Sequence, residues 1–192
     1  MLSLFADMGL ITWLVLFVLS IYFISTMWVF IWRSIKLNEI SNVELETLEL
    51  LSSGGVSLRR SFFHYLLDSG FANQNTLNVC RAKSINKITS GLSYLSIVSS
   101  TSPFIGLFGT VVEILQAFYQ LGGGGGVDFG VIAPIISKAL VATAFGIITA
   151  IPAYSFFIIL KRKAYVISSY LDMQIDIILN NQNNKDSRIT LK

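Results

Sequence analysis

Three long stretches of the sequence carry no Asp, Glu, Lys or Arg, and apolar side chains dominate each of them. The stretches lie between Asp7 and Arg33, between Lys87 and Glu113, and between Lys138 and Lys161. A helix needs roughly 20 mostly apolar residues to cross the hydrocarbon layer of a bilayer, and each stretch meets that requirement. The pattern predicts an all-α integral membrane protein with three transmembrane helices, over residues 9–32, 92–121 and 131–160.

Helical patterns also mark the segment between spans one and two, residues 33–91. A capping-box pattern from Ser41 to Glu44 predicts the start of a helix, and the pair Gly54-Gly55 predicts its end. A second, short helix should stop near Gly70. The segment is therefore expected to be helical rather than extended.

Spans two and three are expected to continue as long helices beyond the membrane. The helical pattern that begins at about Thr76 runs into span two, and the pattern after span three continues past Lys163. Residues 161–192 are accordingly predicted to form a helical extension. Its polar end, residues 180–192, is expected to fray.

Composition and charge agree with this assignment and add an orientation. The chain is 53% hydrophobic and 13% charged, with a mean hydropathy of +0.66. Basic residues cluster in residues 33–91 and 161–163, whereas the stub 1–8 and the link 122–130 carry only Asp7 and Asp128 as charged residues. The positive-inside rule then predicts a multi-pass protein of the bacterial inner membrane with a periplasmic N-terminus and a cytoplasmic C-terminus. The net charge of +3 follows from this topology and does not indicate nucleic-acid binding.

The sequence lacks the residue groups that would indicate an enzyme. His64 is the single histidine and Cys80 the single cysteine, so the sequence shows neither a histidine-based metal cluster nor a Ser-His triad of the usual kind. The run from Gly122 to Gly126 lacks the Lys-Ser or Lys-Thr that follows a phosphate-binding loop, and it predicts a flexible turn. We therefore predict no catalytic residues, no metal and no cofactor.

Small residues distinguish spans two and three from the bulky span one. Close contact between membrane helices requires small side chains, and the residues predicted to provide it are Gly106, Gly109, Ala139, Ala142 and Gly146. Pro103 and Pro152 are predicted to kink their helices. Spans two and three are thus expected to form the inner wall of a homo-oligomer, with span one outside.

Two stretches of these spans resemble a known family. The motifs "SPFIGLFGTV" in residues 102–111 and "IAP…ALVATAFG…AIPA" in residues 132–153 resemble the signature segments of the TolQ/ExbB family of proton-channel subunits, and more distantly MotA. The first motif consists of "SP", an aromatic residue and "IGLFGTV", and this combination is more similar to TolQ than to ExbB. TolQ of a Tol-Pal system is therefore favoured, and ExbB of a TonB-dependent nutrient uptake system is the alternative.

The resemblance implies a mechanism. Such subunits form a homopentamer around the transmembrane helices of a TolR- or ExbD-like partner dimer, which lies in the lumen. Proton-motive force drives relative rotation, and the motion passes to a TolA- or TonB-like protein that acts at the outer membrane. The proton-carrying aspartate belongs to the partner, while Thr110 and Thr143 fall on the family's threonine positions and are expected to line the pore.

The chain departs from the family pattern at Glu113, where the family usually has Gly, and at Lys138, where it usually has Glu. Suppose that Thr110 and Thr143 lie at the same depth in the membrane. At a helical rise of 1.5 Å per residue, Glu113 and Lys138 then both lie within about 8 Å of that depth, on its periplasmic side. We predict an intramembrane ion pair between Glu113 and Lys138, within one protomer or across neighbours, because each charge alone is costly in hydrocarbon. The alternative is that Lys138 reaches the outer headgroups and Glu113 is neutral.

Two other functions compete with the channel subunit. A purely structural membrane scaffold is a real alternative, because the chain has no intramembrane aspartate of its own. A membrane enzyme is disfavoured by the missing catalytic groups.

Overall fold

The computed structural model describes residues 9–55, 59–68, 73–121 and 129–190. In chain order its helices are α1 (Leu10–Ser52), α2 (His64–Asp68), α3 (Gln74–Thr89), α4 (Leu92–Leu121) and α5 (Phe129–Thr190). Helices α1, α4 and α5 are each long and apolar enough to cross a membrane. This confirms the all-α fold with three spanning helices. The stub 1–8, the helix end near Gly70 and the turn at Gly122 to Gly126 lie outside the described residues.

Helix α1 is longer than the sequence pattern predicts. It passes through Ser41 without a break, because residues 10–53 contain neither Pro nor Gly to interrupt the backbone hydrogen bonds. The predicted helix start at Ser41 is therefore wrong. The end agrees with the prediction, since Gly54 has a φ of +83° and Gly55 N donates to Leu50 O at 2.8 Å.

The helical path into span two is divided into α3 and α4. A capping box between Asn73 and Thr76 begins α3. The path breaks at Ser90 and Gly91, where Gly91 has a φ of +86° that an α-helix cannot contain. The single long helix expected here is thus two helices in sequence.

Arg33 of α1 holds this break in place. Its side chain is buried, and Nη2 donates to Lys87 O and to Ile88 O, at 2.8 Å each. These carbonyls belong to the last turn of α3, where a helix has acceptors without an intrahelical donor and favours a cation. Arg33, the first basic residue of the segment 33–91, therefore caps the C-terminal end of α3.

Helix α5 runs without a break from Phe129 to Thr190. Pro134 and Pro152 lie inside it and Pro103 lies inside α4, so none of these prolines ends its helix. Kinks at Pro103 and Pro152 stay predictions. No Gly or Pro occurs between Pro152 and Thr190, and α5 continues past residue 180, where the sequence pattern predicts fraying.

The described residues fall into two compact units. Unit 1 consists of the chain up to Phe30 together with Ser93–Ile158, and unit 2 of Ile31–Leu92 together with the chain from Ile159. Unit 1 has a small buried cluster of Val15, Leu19 and Ala142. Unit 2 has a larger apolar core, which joins all of its helices and consists of Leu51, Phe63, Leu77, Leu171, Ile175 and Ile178.

Candidate functional site

One face of α4 in unit 1 is buried along several turns and consists of small or polar residues. Its members recur at helical spacing, and they are Ser102, Gly106, Gly109, Thr110, Glu113 and Ala117. Residues three and four apart share a face of an α-helix. Three polar residues of span two, Ser102, Thr110 and Glu113, therefore lie where α4 packs against its neighbours.

The backbones of α4 and α5 touch at Gly106 and Gly146. A Cβ at Gly106 would lie 2.7 Å from Ala142 O and 3.2 Å from Gly146 Cα, and a Cβ at Gly146 would lie 2.8 Å from Ser102 O. Real Cβ atoms do not approach backbone atoms this closely. Only glycine fits at either position while the helices keep this separation.

Gly109 and two alanines extend the contact to α1. A Cβ at Gly109 would lie 3.2 Å from both Ala142 Cβ and Val15 Cγ1. Ala139 and Ala142 of α5 are fully buried. All five small residues singled out in the sequence thus lie in contacts between helices of unit 1 or on its buried faces.

Thr110 and Thr143 lie beside this glycine contact, and their hydroxyls hydrogen-bond to each other across the two helices. The Thr110 Oγ1 also lies 3.2 Å from Ala139 O and 3.3 Å from Gly106 O, and Thr143 Oγ1 lies 3.4 Å from Gly106 O. Thr110 is buried, whereas Thr143 is half-buried. The structure therefore brings both candidate threonines together in one hydroxyl pair.

A pair of hydroxyls with this choice of acceptors can change its hydrogen-bond arrangement without moving the helices. Each hydroxyl has one proton and can also accept. The Thr143 hydroxyl can donate either to Thr110 or to Gly106 O, so its lone pairs and proton are available in more than one arrangement. Such a group can solvate a nearby carboxylate in its charged or its neutral form.

Glu113 lies one turn beyond Thr110 on the same buried face of α4. It is 7% exposed, and its Oε2 is buried without a hydrogen-bond partner in the part of the chain that the structure describes. Its Oε1 would be 3.9 Å from a Cβ at Gly9, so the carboxylate lies near the start of α1. A buried carboxylate oxygen without a hydrogen-bond partner is costly, and ionisable groups inside membrane proteins are usually functional.

Lys138 lies on α5, five residues before Thr143, and is half-buried. The predicted ion pair between Lys138 and the Glu113 carboxylate, within one protomer or across neighbours, stays a prediction.

Unit 2 contains a buried polar cluster that the sequence pattern did not reveal. Glu44, interpreted from sequence as a capping residue, is 1% exposed and accepts hydrogen bonds from Ser61 Oγ, Phe62 N and Gln174 Nε2, at 2.9 to 3.0 Å. The cluster joins α1, the residues before α2, and α5. One signal was available in the sequence: Glu44 lies on the same helix face as the apolar residues Leu48 and Leu51.

A second polar contact in unit 2 joins α3 to α5. Arg81 donates through Nε and Nη2 to the two carboxylate oxygens of Asp172. This hydrogen bonding raises the pKa of the Arg81 guanidinium above its usual value. The bidentate geometry fixes the register of the two helices, as expected for Arg with a carboxylate.

Metal binding has no support in the described ranges. No group of three or more His, Cys, Asp or Glu side chains there could hold a metal ion.

Burial raises the pKa of the Cys80 thiol, whose Sγ donates to Phe62 O at 3.3 Å.

Comparisons with known proteins agree with the motifs. Residues 63–173 match the MotA/TolQ/ExbB proton channel family. The chain is 47% identical over 178 residues to an ExbB-like biopolymer transport protein of Helicobacter pylori. The alignment covers 91% of this chain and 94% of that protein. It is 37% identical over 107 residues to ExbB of Neisseria gonorrhoeae, covering 55% and 49% of the two chains. It is also 42% identical over 77 residues to the Tol-Pal protein TolQ of Haemophilus influenzae, covering 40% and 34%.

Proposed function

The chain belongs to the MotA/TolQ/ExbB proton channel family, and we propose that it is the ring-forming subunit of a complex that uses proton-motive force. The observation that carries this proposal is the Thr110–Thr143 hydroxyl pair, held beside a backbone contact between two membrane helices. Fixed hydroxyls at that position suit a titrating carboxylate that passes them in the membrane. The family is one of channels rather than of enzymes.

The carboxylate that carries the proton is proposed to belong to a partner. The predicted spans of this chain contain only Glu113 and Lys138 as charged residues, and neither is an aspartate. A TolR- or ExbD-like dimer with one span per chain would supply it, in the lumen of a homopentamer. Helices α4 and α5 form the inner wall in this arrangement, and a TolA- or TonB-like protein receives the motion.

Two observations point to different systems within the family. The motif in residues 102–111 is more similar to TolQ, whereas the relative that matches over nearly the whole chain is ExbB-like. The long match covers 91% of this chain, whereas the motif covers residues 102–111 alone. We therefore propose the ExbB role first, with energy passed to a TonB-like protein, and keep TolQ as the second candidate.

The protein is a multi-pass membrane protein, and its orientation is proposed from charge. By the positive-inside rule, the basic residues of unit 2 support a cytoplasmic unit 2 and a periplasmic start of α1. The membrane is then the bacterial inner membrane, across which the proton-motive force exists.

Co-expression with a single-span TolR- or ExbD-like protein from the same organism tests the proposal. Liposomes containing both proteins should take up protons under an imposed potential, and liposomes with either protein alone should not. Native mass measurement of the complex should give five copies of this chain for two of the partner. A stable complex that conducts no protons under any potential would instead support the non-conducting scaffold.

Deletion of the gene decides between the two systems. Loss of growth on iron bound to a siderophore, with an intact outer membrane, supports the ExbB role. Sensitivity to detergents and leakage of periplasmic proteins supports the TolQ role.

A further inference from the structure

A cavity of about 270 Å³ lies in unit 2 between α1, the residues before α2, and the end of α3. Charged side chains of both signs form much of its wall, together with Ile40, Val43 and Phe62. The charged members are Lys36, Arg60, Lys87, Glu39 and Glu44. With three cations and two carboxylates, the lining has a formal net charge of +1.

The two carboxylates are already engaged by protein groups. Glu44 is buried, and its oxygens accept from Ser61, Phe62 N and Gln174. Glu39 Oε1 lies 3.4 Å from Arg60 Nη2. Neither acid forms an ion pair with Lys36 or Lys87 among the described residues.

Lys36 and Lys87 have no carboxylate oxygen within 4.0 Å among the described residues. Each ammonium lies over an aromatic ring instead: Lys36 Nζ is 4.8 Å from the Trp32 ring and Lys87 Nζ is 5.5 Å from the Phe62 ring. A cation over a ring keeps its N–H donors for another acceptor. Among the described residues, the cavity thus offers two lysines without a carboxylate partner.

The backbone beneath Lys87 is fixed. Arg33 donates to Lys87 O at 2.8 Å and is itself buried. This bond holds the end of α3 beside α1, where Lys36 lies one turn after Arg33. The two lysines are therefore arranged in advance by the fold, rather than by a ligand.

An exposed apolar surface leads along α1 to the cavity. Ile31, Trp32 and Ile35 are 56%, 57% and 65% exposed, and Lys36 follows directly. The order of exposed aliphatic residues, then Trp, then Lys is typical of a helix that leaves the hydrocarbon for the headgroup region. A molecule with an apolar tail and an anionic head matches both parts of this surface.

We propose that this cavity binds the phosphate headgroup of an anionic phospholipid, with the acyl chains along Ile31, Trp32 and Ile35. The single negative charge of phosphatidylglycerol balances the lining. Lys36 and Lys87 contact the phosphate, and basic pockets at this level of a membrane are known to favour such headgroups. The proposal is independent of proton conduction and of the partner.

Quenching of Trp32 by brominated lipids tests the site in the full-length protein. Trp13→Phe with Trp28→Phe leaves Trp32 as the only tryptophan of the three. In liposomes of mixed composition, brominated phosphatidylglycerol should quench Trp32 at a mole fraction severalfold lower than brominated phosphatidylcholine does. Equal quenching by the two lipids would overturn the proposal.

Variants that remove lysine charges test whether the preference for phosphatidylglycerol arises from the cavity. Lys36→Gln with Lys87→Gln should abolish the preference for phosphatidylglycerol, since each lysine near an anionic headgroup changes its affinity roughly fivefold. Lys83→Gln is the matched control: it removes the same charge one turn away on α3, outside this cavity, and should keep the preference. Circular dichroism and size-exclusion chromatography show that each variant is folded. A preference that persists in the folded double variant, or is lost in the control, contradicts the site.

Soluble phosphate distinguishes the lipid from a free anion. Glycerol 3-phosphate at low millimolar concentration should not relieve the quenching by brominated phosphatidylglycerol, because it lacks the acyl chains that bind along α1. Relief at that concentration would show a site for soluble phosphates and overturn the assignment to a lipid.

Discussion

Gly106 of α4 faces Gly146 of α5 with no side chain between them, and a Cβ on either would lie 3.2 Å from the Cα of the other. The contact brings the two backbones together next to Thr110 and Thr143. Since the hydroxyl pair depends on this separation, changes at this crossing should alter both the stability of the protein and its proposed proton-driven function.

Gly106→Ala and Gly146→Ala should each lower the stability of the protein, by about 1–3 kcal/mol, since an added methyl meets backbone atoms that cannot yield without moving a helix. Gly109→Ala provides the matched comparison. Its methyl would meet the side chains of Ala142 and Val15 at 3.2 Å, which can shift slightly. The midpoint of thermal unfolding in detergent measures all three variants. Equal midpoints for Gly106→Ala and Gly109→Ala would show that the helices separate freely at this crossing.

Thr110→Val and Thr143→Val should leave assembly intact and lower proton-driven function, because valine keeps the size and removes the hydroxyl. The double Val variant should be no worse than either single variant, since the two hydroxyls act as one pair. Proton uptake by liposomes that contain the partner is the measurement.

Thr149→Val is the control for the threonine variants. Thr149 is also buried on α5, but its hydroxyl donates to Phe145 O of its own helix. It should retain full proton uptake. Unchanged uptake in both Thr110→Val and Thr143→Val would remove the hydroxyl pair from the mechanism.

Glu113 and Lys138 are predicted to form an intramembrane ion pair, within one protomer or between neighbouring protomers of the ring. Glu113→Gln or Lys138→Met alone should weaken assembly more than the double change does, because one variant leaves an uncompensated charge, which costs about 3–5 kcal/mol when fully buried. A water-filled lumen lowers this cost. The charge-swapped protein, with Glu113→Lys and Lys138→Glu, should recover part of the loss.

A double-mutant cycle on ring stability measures this coupling. Thr149→Val again serves as a variant without charge change. If the two single effects add to within about 0.5 kcal/mol, the residues act independently and the pair does not exist.

Glu44→Ala should destabilise unit 2 by about 3 kcal/mol or more, since it leaves Ser61, Phe62 N and Gln174 without their shared acceptor. Glu46→Ala is the matched control on the same helix, because Glu46 is exposed; its effect should stay within about 0.5 kcal/mol. Chemical unfolding followed by circular dichroism gives both values. Similar losses for the two variants would mean that the buried hydrogen bonds contribute nothing net.

The orientation of the chain can be read by labelling engineered cysteines in a Cys80→Ser background. A cysteine at Ser53, on the exposed end of α1 in unit 2, should react with a membrane-impermeant maleimide only after the cells are opened. A cysteine at Ser3 should react in intact cells with a permeable outer membrane. Labelling of Ser53→Cys in intact cells would reverse the proposed topology.

The sequence alone determined the membrane architecture. Three charge-free stretches suffice for three spans, because hydrocarbon excludes charge and demands helices whatever their neighbours are. The glycines and alanines of α4 and α5 were identified by the same local logic, whereas the threonines at 110 and 143 were identified only through the resemblance to the TolQ/ExbB family. Gly54 likewise ended α1, since a positive φ is a property of the residue itself.

The tertiary structure decided which groups meet. A capping-box pattern at Ser41 is equally compatible with the interior of a helix, and only the packing of α1 against Ser61, Phe62 and Gln174 turned Glu44 into a buried acceptor. The break at Gly91 depends on Arg33, which is more than 50 residues away in sequence. The mutual bond of Thr110 and Thr143 requires two helices at glycine separation. Contacts of this kind depend on the arrangement of distant segments, which local patterns of polarity do not encode.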